Sequence, residues 1–557
     1  MALLITFFGI LVLAASTWII YSWACLIQNY LRARRIGIPL RVIPISHGNP
    51  LWMVADKTVI SLFKSLPFGN GNFSRYNWRG WEVEDKYQSH AEMGDVYMLV
   101  TPGRNWLYLC NPESLMDVFR RRLDFPRPLE LYEMLNIFGP NLSTVEGNQW
   151  KTQRKITATC FNEQNNEIVW AESISLASSM LRYWTSRPDI RSIADDTRTL
   201  SLHVLSKAGF GKSFEFLGHE EKSKLSVATS YKESLQLVLD NCVLIMALGT
   251  EFISKPWLPS KLRRVHEACV LFQGYMTGLY EDEKRAFAEG RSTDRNLMTS
   301  LIRASNEEAK TSSGMTESEI YGNMFVFNFA GHDTTAHTLT FAIMFLAANP
   351  MVQDWLAEEI YHVFGEHPTD EWKYSDYFPR LPRCNAIMME TVRLYTPVPV
   401  AKWTETKAQT LQVGDKPITI PPDTMVIPSY AAMHTHPNYW GPDPLVWRPS
   451  RWIQTRVPSK PEVSSNDEEL LVPQRGTFFP WSEGERSCPG KKFSQVEFVA
   501  AMTVLFRDWK VYPISKEGES QENARKRLLN LIEMDSAQVL LLQMLHPERA
   551  PLVWRRR

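Results

Sequence analysis

The sequence predicts a mainly α-helical protein with a minor β-sheet, preceded by a membrane-spanning helix. Three observations favour this fold class. Residues 1–31 contain no charged side chain, apolar residues recur with a helical period through the middle of the chain, and strand-like segments are few. A chain of 557 residues, 44% of them hydrophobic, is long enough to bury a large core.

Composition argues against several classes of function. The formal net charge is zero, so nothing marks a binder of nucleic acid or of another polyanion. The seven cysteines are odd in number and scattered, without the spacing of a zinc site. This distribution argues against a disulfide framework and favours a reducing compartment.

The N-terminal segment, residues 1–31, is expected to be an uncleaved, single-pass membrane anchor. Its apolar core, residues 3–27, exceeds the ~20 residues that cross a bilayer, and a basic run at 32–35 follows directly. Basic residues on this flank favour a cytosolic location for the rest of the chain. A cleaved signal peptide is the alternative, but its basic residues usually precede a shorter apolar core.

The segment after the anchor is predicted to be a linker. Residues 32–50 combine the basic run with glycine and several prolines, which break helices, and the body then occupies residues 51–557. Residues 455–469 are polar and contain proline, and are expected to form an exposed loop. Strand-like segments occupy residues 96–100, 106–109, 410–413 and 418–420.

The longest predicted helix lies in the middle of the chain. Residues 316–319 have the spacing of a capping box, and the Asn-Pro pair at 349–350 would stop the helix. Its centre, residues 330–335, reads Ala-Gly-His-Asp-Thr-Thr. Glycine destabilises a helix interior by about 1 kcal/mol relative to alanine, and threonine hydroxyls bond to helix carbonyls. A local distortion is therefore expected there, with Asp333 and Thr334 in apolar surroundings.

A tight loop near the C-terminal end presents Cys488. Gly484 and Gly490 flank it, Arg486 lies two residues before it, and Pro489 follows it. The glycines let the backbone approach a flat ligand closely, and Pro489 fits the first position of a helix. The helix dipole and a nearby arginine would favour the thiolate. A buried, inert cysteine is the alternative and the commoner fate of a single Cys.

The spacing Gly-x-Arg-x-Cys-x-Gly at residues 484–490 resembles the haem-ligand loop of the cytochrome P450 family. The resemblance implies that Cys488 is the axial thiolate ligand of the iron of haem b, and that Gly484 and Arg486 contact the cofactor. Where the family has phenylalanine, seven residues before the cysteine, this chain has Trp481. Its indole would cover the sulfur and alter the tuning of the iron.

Further motifs follow in the family's order. The centre of the long helix resembles the oxygen-activation motif, which implies that Asp333 and Thr334 relay protons to bound dioxygen. Glu390 and Arg393 lie one helical turn apart and resemble the family's Glu-x-x-Arg pair. Arg451 supplies the family's third member. This triad is expected to be a buried charge network with a structural role.

The resemblance also implies which side chains hold the propionates of the haem. Trp150 and Arg154 lie one helical turn apart, as in the propionate-binding helix of the family. His434 and Arg486 are implied as further propionate partners.

The five motifs together cover about residues 50–550 and imply a cytochrome P450-like fold, with residues 51–557 as the haem-thiolate monooxygenase domain. Position in the family implies substrate contacts at Leu131, Phe138, Phe325, Phe329, Val398 and Ala401. Their apolar character favours a lipophilic substrate, such as a terpenoid, a polyketide, a steroid or a fatty-acyl chain.

The expected partners follow from what the sequence lacks. It contains no Gly-x-Gly-x-x-Gly motif, so electrons are expected from a separate NADPH–cytochrome P450 reductase. Lys491, Lys492, Arg154 and Lys155 are candidates for docking it, with ordinary solvated charge as the alternative.

The anchor resembles the microsomal type, which implies the endoplasmic reticulum membrane. The closest resemblance is to fungal biosynthetic members, which implies a role in secondary metabolism.

Three other functions remain open at this point. The first is a haem-thiolate isomerase or dehydratase that uses no dioxygen, against which the intact Asp333 and Thr334 argue. The second is a fatty-acyl or steroid hydroxylase. The third is a haem sensor or electron carrier without catalysis, which would need neither a proton relay nor apolar substrate loops.

Overall fold

The computed structural model describes residues 2–219, 227–291, 296–309, 314–455 and 467–557. Within these ranges helices predominate and strands form a minor part, which confirms the predicted fold class. Most of the loop expected at residues 455–469 lies outside the described residues.

The helices are distributed along the whole chain. They are α1 (Ala2–Arg34), α2 (Pro50–Lys64), α3 (Asn72–Tyr76), α4 (Trp81–Asp85), α5 (Gln88–Met93), α6 (Pro112–Arg120), α7 (Gly147–Ala158), α8 (Glu163–Thr185), α9 (Ile193–Phe210), α10 (Val227–Asp240), α11 (Cys242–Leu248), α12 (Thr250–Ile253), α13 (Ser260–Ala288), α14 (Leu297–Ala309), α15 (Glu317–Ala348), α16 (Pro350–Phe364), α17 (Tyr374–Tyr377), α18 (Pro382–Leu394), α19 (Tyr430–Met433), α20 (Pro437–Trp440), α21 (Lys491–Phe506) and α22 (Gln521–Met534).

The strands are short. They are β1 (Leu40–Val42), β2 (Val96–Val100), β3 (Asn105–Leu109), β4 (Lys402–Trp403), β5 (Gln409–Val413), β6 (Lys416–Ile420), β7 (Thr424–Pro428), β8 (Ile453–Thr455), β9 (Glu468–Leu470), β10 (Trp509–Pro513), β11 (Ser536–Gln538), β12 (Leu542–Met544) and β13 (Leu552–Arg556). All four segments predicted as strands are strands, in β2, β3, β5 and β6.

The largest sheet has the strand order β1-β2-β3-β7-β4. β1 pairs with β2, and β3 with β7, in parallel, whereas β2 pairs with β3 and β7 with β4 in antiparallel fashion. The sheet therefore joins strands from the first hundred or so residues to strands that follow α18. β5-β6, β8-β9, β10-β13 and β11-β12 form separate two-stranded sheets.

α15 crosses the body and packs against α9, α18, α21 and α22. Its predicted capping box is confirmed, because the Thr316 N–H donates to Oε2 of Glu319 at 2.7 Å and the Glu319 N–H donates to the Thr316 hydroxyl at 3.3 Å. Asn349 caps its C-terminus, as expected. The expected distortion does not interrupt the helix, which is continuous over its 32 residues and about 48 Å long.

The N-terminal helix α1 is long and apolar enough from Thr6 to Arg34 to cross a membrane. Its last turns nevertheless pack on the body, since Leu26 and Ala33 are buried in the sheet's apolar cluster. The side-chain amide of Asn29 donates to the carbonyl oxygen of Thr101 at 2.9 Å. β1 then adds the predicted linker to the main sheet. Helix α1 thus continues to Arg34, beyond residue 31, and residues of the predicted linker form a strand of the main sheet.

α21 packs against α8 and contains the buried carboxyl group of Glu497. Burial raises the pKa of Glu497 to about 8, and the nearby Ser201 of α9 lowers it in part. The group is therefore largely protonated at neutral pH, which avoids an uncompensated charge in the core.

Candidate active site

A cavity of about 300 Å³ lies between the centre of α15 and the loop that precedes α21. Cys488 lines it on the loop side, and Ala330 and Thr334 line it on the helix side. Many of the other lining side chains are apolar, among them Leu135, Leu142, Leu205, Leu297, Val326, Phe329 and Val392. The fold therefore brings the predicted thiolate ligand and one predicted relay residue to the same apolar chamber.

The main chain fixes the position of Cys488. Its N–H donates to the carbonyl oxygen of Trp481 at 2.8 Å, which closes the loop on itself. Gly490 is the N-cap of α21, and the helix begins at Lys491. The prediction that Pro489 is the first helical residue is therefore wrong, because Gly490 still has to supply the non-helical cap after it.

The two glycines of the loop have different roles. Gly490 lines the cavity, and a Cβ there would lie 3.8 Å from Sγ of Cys488, at ordinary contact distance. Gly484 is not among the lining residues. It has φ +72°, and a Cβ would lie 2.8 Å from the Phe119 carbonyl oxygen. Gly484 is thus required for the turn and its packing, and its contact with a cofactor stays a prediction.

The sulfur of Cys488 is open to the cavity but lies deep in the protein. Burial raises the pKa of the Cys488 thiol, while the Gly490 N–H and the charges of Arg154 and Lys491 lower it in part. The N–H group and the cations thus favour the thiolate, as the sequence predicted, but burial outweighs them and the net direction of the shift is upward. Coordination to a metal ion deprotonates a thiol outright, and the thiolate would form in that way.

Trp150, Arg154 and Arg486, three of the predicted haem contacts, line the cavity together. The Arg486 guanidinium lies 4.6 Å from the ring centroid of Trp150 and forms an ion pair with Glu146. Nε and Nη1 of Arg486 are buried without a hydrogen-bond partner among the described residues. Burial lowers the pKa of Arg486 to about 10, which leaves it cationic at neutral pH.

Three further basic residues, which the sequence did not predict, lie around the same site. Arg122 lies 4.5 Å from the ring centroid of Trp150, and Arg127 lines the cavity. Lys402 on β4 is buried. Burial, together with the charges of Arg127, Arg486 and Arg122, lowers its pKa to about 7. No local motif distinguishes these residues, since Lys402 is far in the chain from Arg122 and Arg127 and approaches them only in the fold.

The chemistry of this site fits a thiolate-ligated haem. The planar ring of a haem is apolar and matches the lining, while its two propionates are anionic. An excess of cations at one end, with unpaired donor atoms on Arg486, matches those two carboxylates because buried charges need partners. Cys488 would supply the axial sulfur, and Trp150, Arg154 and Arg486 the propionate contacts.

His434, for which a propionate contact was predicted, is not among the residues that line the cavity. It is fully buried, and its Nε2 accepts the N–H of Phe479 at 3.0 Å. Its Nδ1 lies 3.1 Å from the Thr396 hydroxyl. Burial and the charge of Arg393 lower the pKa of His434 to about 3. Both ring nitrogens therefore serve the protein itself and tie the segment before Cys488 to the end of α18.

The predicted relay residues lie on different faces of α15. The Thr334 side chain lines the cavity and donates to the carbonyl oxygen of Ala330 at 2.7 Å. Asp333 is buried on another face, where Oδ1 lies 3.4 Å from Nε2 of His332 and 3.3 Å from Nε of Arg198. Burial opposes ionisation, but attraction to His332, His337 and Arg198 lowers the pKa of Asp333. Asp333 is therefore a carboxylate behind the cavity.

Glu390, Arg393 and Arg451 meet as one buried network. Arg393 donates two hydrogen bonds to the Glu390 carboxylate at 2.7 and 2.8 Å, and Nε of Arg451 donates a third at 2.9 Å. Nε1 of Trp452 donates a fourth at 2.9 Å. Arg393 also donates to the carbonyl oxygen of His434 at 2.7 Å, which connects the network to the histidine described above.

The predicted substrate contacts divide into two groups. Phe329 and Val398 line the cavity. The structure places the other four elsewhere. Phe325 is fully buried against Phe138, with ring centroids 5.1 Å apart, and Leu131 is exposed on a surface turn. Ala401 packs in the cluster of the main sheet. The lining residues that the sequence missed include Leu205, Leu297, Val326 and Leu541.

The predicted docking cations are also divided. Arg154 faces the cavity, and Lys155 forms an ion pair with Glu308 at 2.6 Å. Arg154 is therefore turned to the inside of the protein, whereas Lys155 is exposed but paired with a neighbouring carboxylate. Lys491 and Lys492 remain exposed at the start of α21, where their ammonium groups lie over the rings of Trp481 and Phe378.

Comparisons with known proteins give one consistent result. The family model for cytochrome P450 matches residues 63–538. A cytochrome P450 monooxygenase of Arthrobotrys oligospora is 26% identical over 95% of each chain. The phomenoic acid biosynthesis cluster cytochrome P450 monooxygenase of Leptosphaeria maculans is 28% identical and covers 91% of this chain and 92% of its own. The 7-deoxyloganic acid hydroxylase of Catharanthus roseus is 24% identical over 72% of this chain and 73% of its own.

Proposed function

Because the chain belongs to the cytochrome P450 family and is a monooxygenase of that family, we propose that it oxidises a lipophilic small molecule with dioxygen. The family implies a haem cofactor, and we propose haem b with Cys488 as its axial ligand. Thiolate-ligated haem supplies the iron at which dioxygen is activated, and the thiolate favours cleavage of the O–O bond. The observation that supports this best is the joint lining of one apolar cavity by Cys488 and Thr334.

Thr334 and Asp333 are proposed to deliver protons at that cavity. The Thr334 hydroxyl donates to the carbonyl oxygen of Ala330, so the lone pairs of its oxygen can accept a hydrogen bond from a proton donor. Asp333 does not line the cavity and is held by Arg198. A proton must therefore pass from the carboxylate side to the hydroxyl side through water or through side-chain rotation. Proton transfer by positioned groups typically contributes about 10²- to 10⁴-fold to a rate.

The proposed substrate class follows from the cavity walls. Leu135, Leu205, Val326, Phe329 and Val398 are apolar, and such a lining favours ligands that bury hydrocarbon surface. The relative from Leptosphaeria maculans belongs, by its name, to a phomenoic acid biosynthesis cluster. We therefore propose a secondary-metabolite intermediate, such as a terpenoid or a polyketide.

The proposed electron donor is a separate NADPH–cytochrome P450 reductase. The sequence contains no Gly-x-Gly-x-x-Gly motif of its own. Lys491 and Lys492 are exposed at the start of the helix that follows Cys488. Cations there would attract an acidic partner close to the iron ligand.

The proposed location is the endoplasmic reticulum membrane, with α1 as a single span and the catalytic body in the cytosol. The charge-free run at 1–31 and the basic residues at 32–35 support this orientation. Protease added to sealed microsomes is then expected to digest the body and to leave a short protected fragment. Complete protection of the body would contradict the proposed orientation.

The experiment that tests the activity uses the full chain in microsomes with a reductase. Consumption of NADPH and dioxygen is measured together with oxidised products from a panel of terpenoid and polyketide substrates. The proposal expects products that contain one oxygen atom from labelled dioxygen. Products that form without NADPH and dioxygen would indicate an isomerase or a dehydratase instead.

A further inference from the structure

Trp481 stands where the family's loop has phenylalanine. The residues around Trp481 determine the direction of its indole N–H. Trp481 lines the cavity next to Cys488, as does Ser494 of α21. Its carbonyl oxygen accepts the N–H of Cys488, so the main chain couples the indole residue directly to the cysteine. An indole N–H is a donor only, and in a partly buried position it needs an acceptor.

That acceptor is Ser494. Nε1 of Trp481 donates to Oγ of Ser494 at 3.2 Å, and Oγ of Ser494 donates in turn to the carbonyl oxygen of Lys491 at 2.9 Å. A hydroxyl has one proton, and here it is given to Lys491, so the oxygen presents a lone pair to the indole. The Lys491 ammonium lies 5.4 Å from the ring centroid of Trp481 and favours the same ring position.

Because the indole N–H of Trp481 is bound to Ser494, the sulfur of Cys488 interacts with groups other than this N–H. The Gly490 N–H and the charges of Arg154 and Lys491 act on it. Hydrogen bonds to the sulfur and the charge around it tune the reduction potential of a sulfur-ligated iron centre. A further donor from the indole would withdraw electron density from the thiolate and would raise the potential.

We propose that Ser494 is a positioning residue that holds the indole N–H of Trp481 away from the sulfur of Cys488. The strength of the thiolate as an electron donor to iron then depends on Ser494, which does not contact the iron. This inference rests on the proposed haem-thiolate function. It concerns how the axial ligand is tuned in this chain and adds no new ligand.

The test is the substitution Ser494→Ala in the full chain loaded with haem. Alanine is a good helix former, so α21 is preserved while the acceptor is lost. The indole N–H then turns to the thiolate, and two shifts are expected. The Soret band of the reduced carbon monoxide complex moves to shorter wavelength, and the reduction potential of the iron rises. Ser494→Thr retains the hydroxyl and keeps both values of the unaltered protein.

The control is the same substitution in a Trp481→Phe background, which has no indole N–H. There Ser494→Ala is expected to change neither the Soret position nor the potential. Equal shifts in both backgrounds, or no shift in the chain that retains Trp481, would overturn the inference. Failure of the proposed function is distinguishable, because the unaltered protein would then lack the long-wavelength Soret band altogether.

Discussion

Oδ1 of Asp333 lies 3.3 Å from Nε of Arg198 on α9, behind α15 as seen from the cavity. The neighbouring Thr334 lines the cavity itself. The acid and the alcohol of the family's motif are thus adjacent in sequence, but Thr334 faces the cavity and Asp333 faces Arg198 on another side of α15. Arg198 also donates to Gln543 at 2.9 Å and its side chain is 27% exposed, so the carboxylate is connected to the outer surface of the protein.

Asp333→Asn is expected to slow product formation by about 10²-fold, because the amide cannot transfer protons as the carboxylate does. The substitution keeps the shape of the side chain, so the haem spectrum should be unchanged. Asp354→Asn is the matched control, since Asp354 also pairs with cations, Lys510 and Arg557, but is not among the residues that line the cavity. Turnover in Asp333→Asn equal to that of the control would contradict the relay.

Thr334→Ala is expected to uncouple electron flow from product formation. The variant should keep its thiolate spectrum and its NADPH consumption, while product per NADPH falls by roughly tenfold or more and hydrogen peroxide rises. Thr340→Ala on the same helix is the control. Its hydroxyl bonds to a carbonyl four residues back in the same way, but it contacts Thr197 and is not among the cavity-lining residues. Unchanged coupling in Thr334→Ala would favour an isomerase or a non-catalytic haem protein.

Cys488→Ala is expected to abolish the long-wavelength Soret band of the reduced carbon monoxide complex, because that band requires a thiolate ligand. Cys269→Ala is the control. Cys269 is a free cysteine buried in the core and is not among the residues that line the cavity, so its variant should retain the band. A Cys488→Ala protein that keeps the band would show that the axial ligand is another residue.

Glu390→Gln is expected to destabilise the protein by about 3–5 kcal/mol and to yield little haem-loaded material. The substitution leaves Arg393 and Arg451 without their charged partner in a buried site. Glu358→Gln is the control, because its ion pair with Arg383 joins a carboxylate that is 69% exposed and contributes at most about 1 kcal/mol. Chemical denaturation and haem content measure both variants, and normal haem content in Glu390→Gln would refute the network's role.

Glu497→Gln is expected to become more stable relative to the unaltered protein as the pH rises from about 4 to about 8. The folded-state pKa is raised to about 8 by burial, so in this window the unfolded chain has lost the proton that the folded chain still holds. The unaltered protein therefore loses stability by on the order of 1 kcal/mol per pH unit, and the glutamine variant does not. A stability difference that stays constant across this window would show that Glu497 is ionised in the fold.

Local sequence patterns identified the parts of the site that are contiguous in the chain. The Cys488 loop, the Thr334 segment and the Trp150–Arg154 turn each have their chemistry within one short stretch, and all three line the cavity. Arg122 and Lys402 meet across 280 residues of chain, and no local pattern encodes such a meeting. Phe325 and Phe329 lie one helical turn apart on the same face, yet only Phe329 lines the cavity, because Phe325 packs against the ring of Phe138.

His434 illustrates a different limit. A histidine in a polar motif suggests a ligand for a charged group, because both ring nitrogens are capable of hydrogen bonding. The sequence does not reveal that the Phe479 N–H, 45 residues away, occupies one nitrogen and Thr396 the other. Competition from the main chain thus decides the role of such a residue, and it becomes visible only in the fold.

The docking of α1 on the main sheet bears on how the chain can be shortened for study in solution. A polypeptide that starts after Arg34 would lose Leu26, Asn29 and Ala33, and the apolar face they cover would be open to water. Such exposed surface promotes aggregation. A polypeptide that starts near residue 22 would lack most of the exposed apolar turns of α1 and would keep the turns that pack on the sheet. The best first residue of a shortened polypeptide therefore depends on how α1 packs on the sheet, and a hydropathy profile alone would place it too far along the chain.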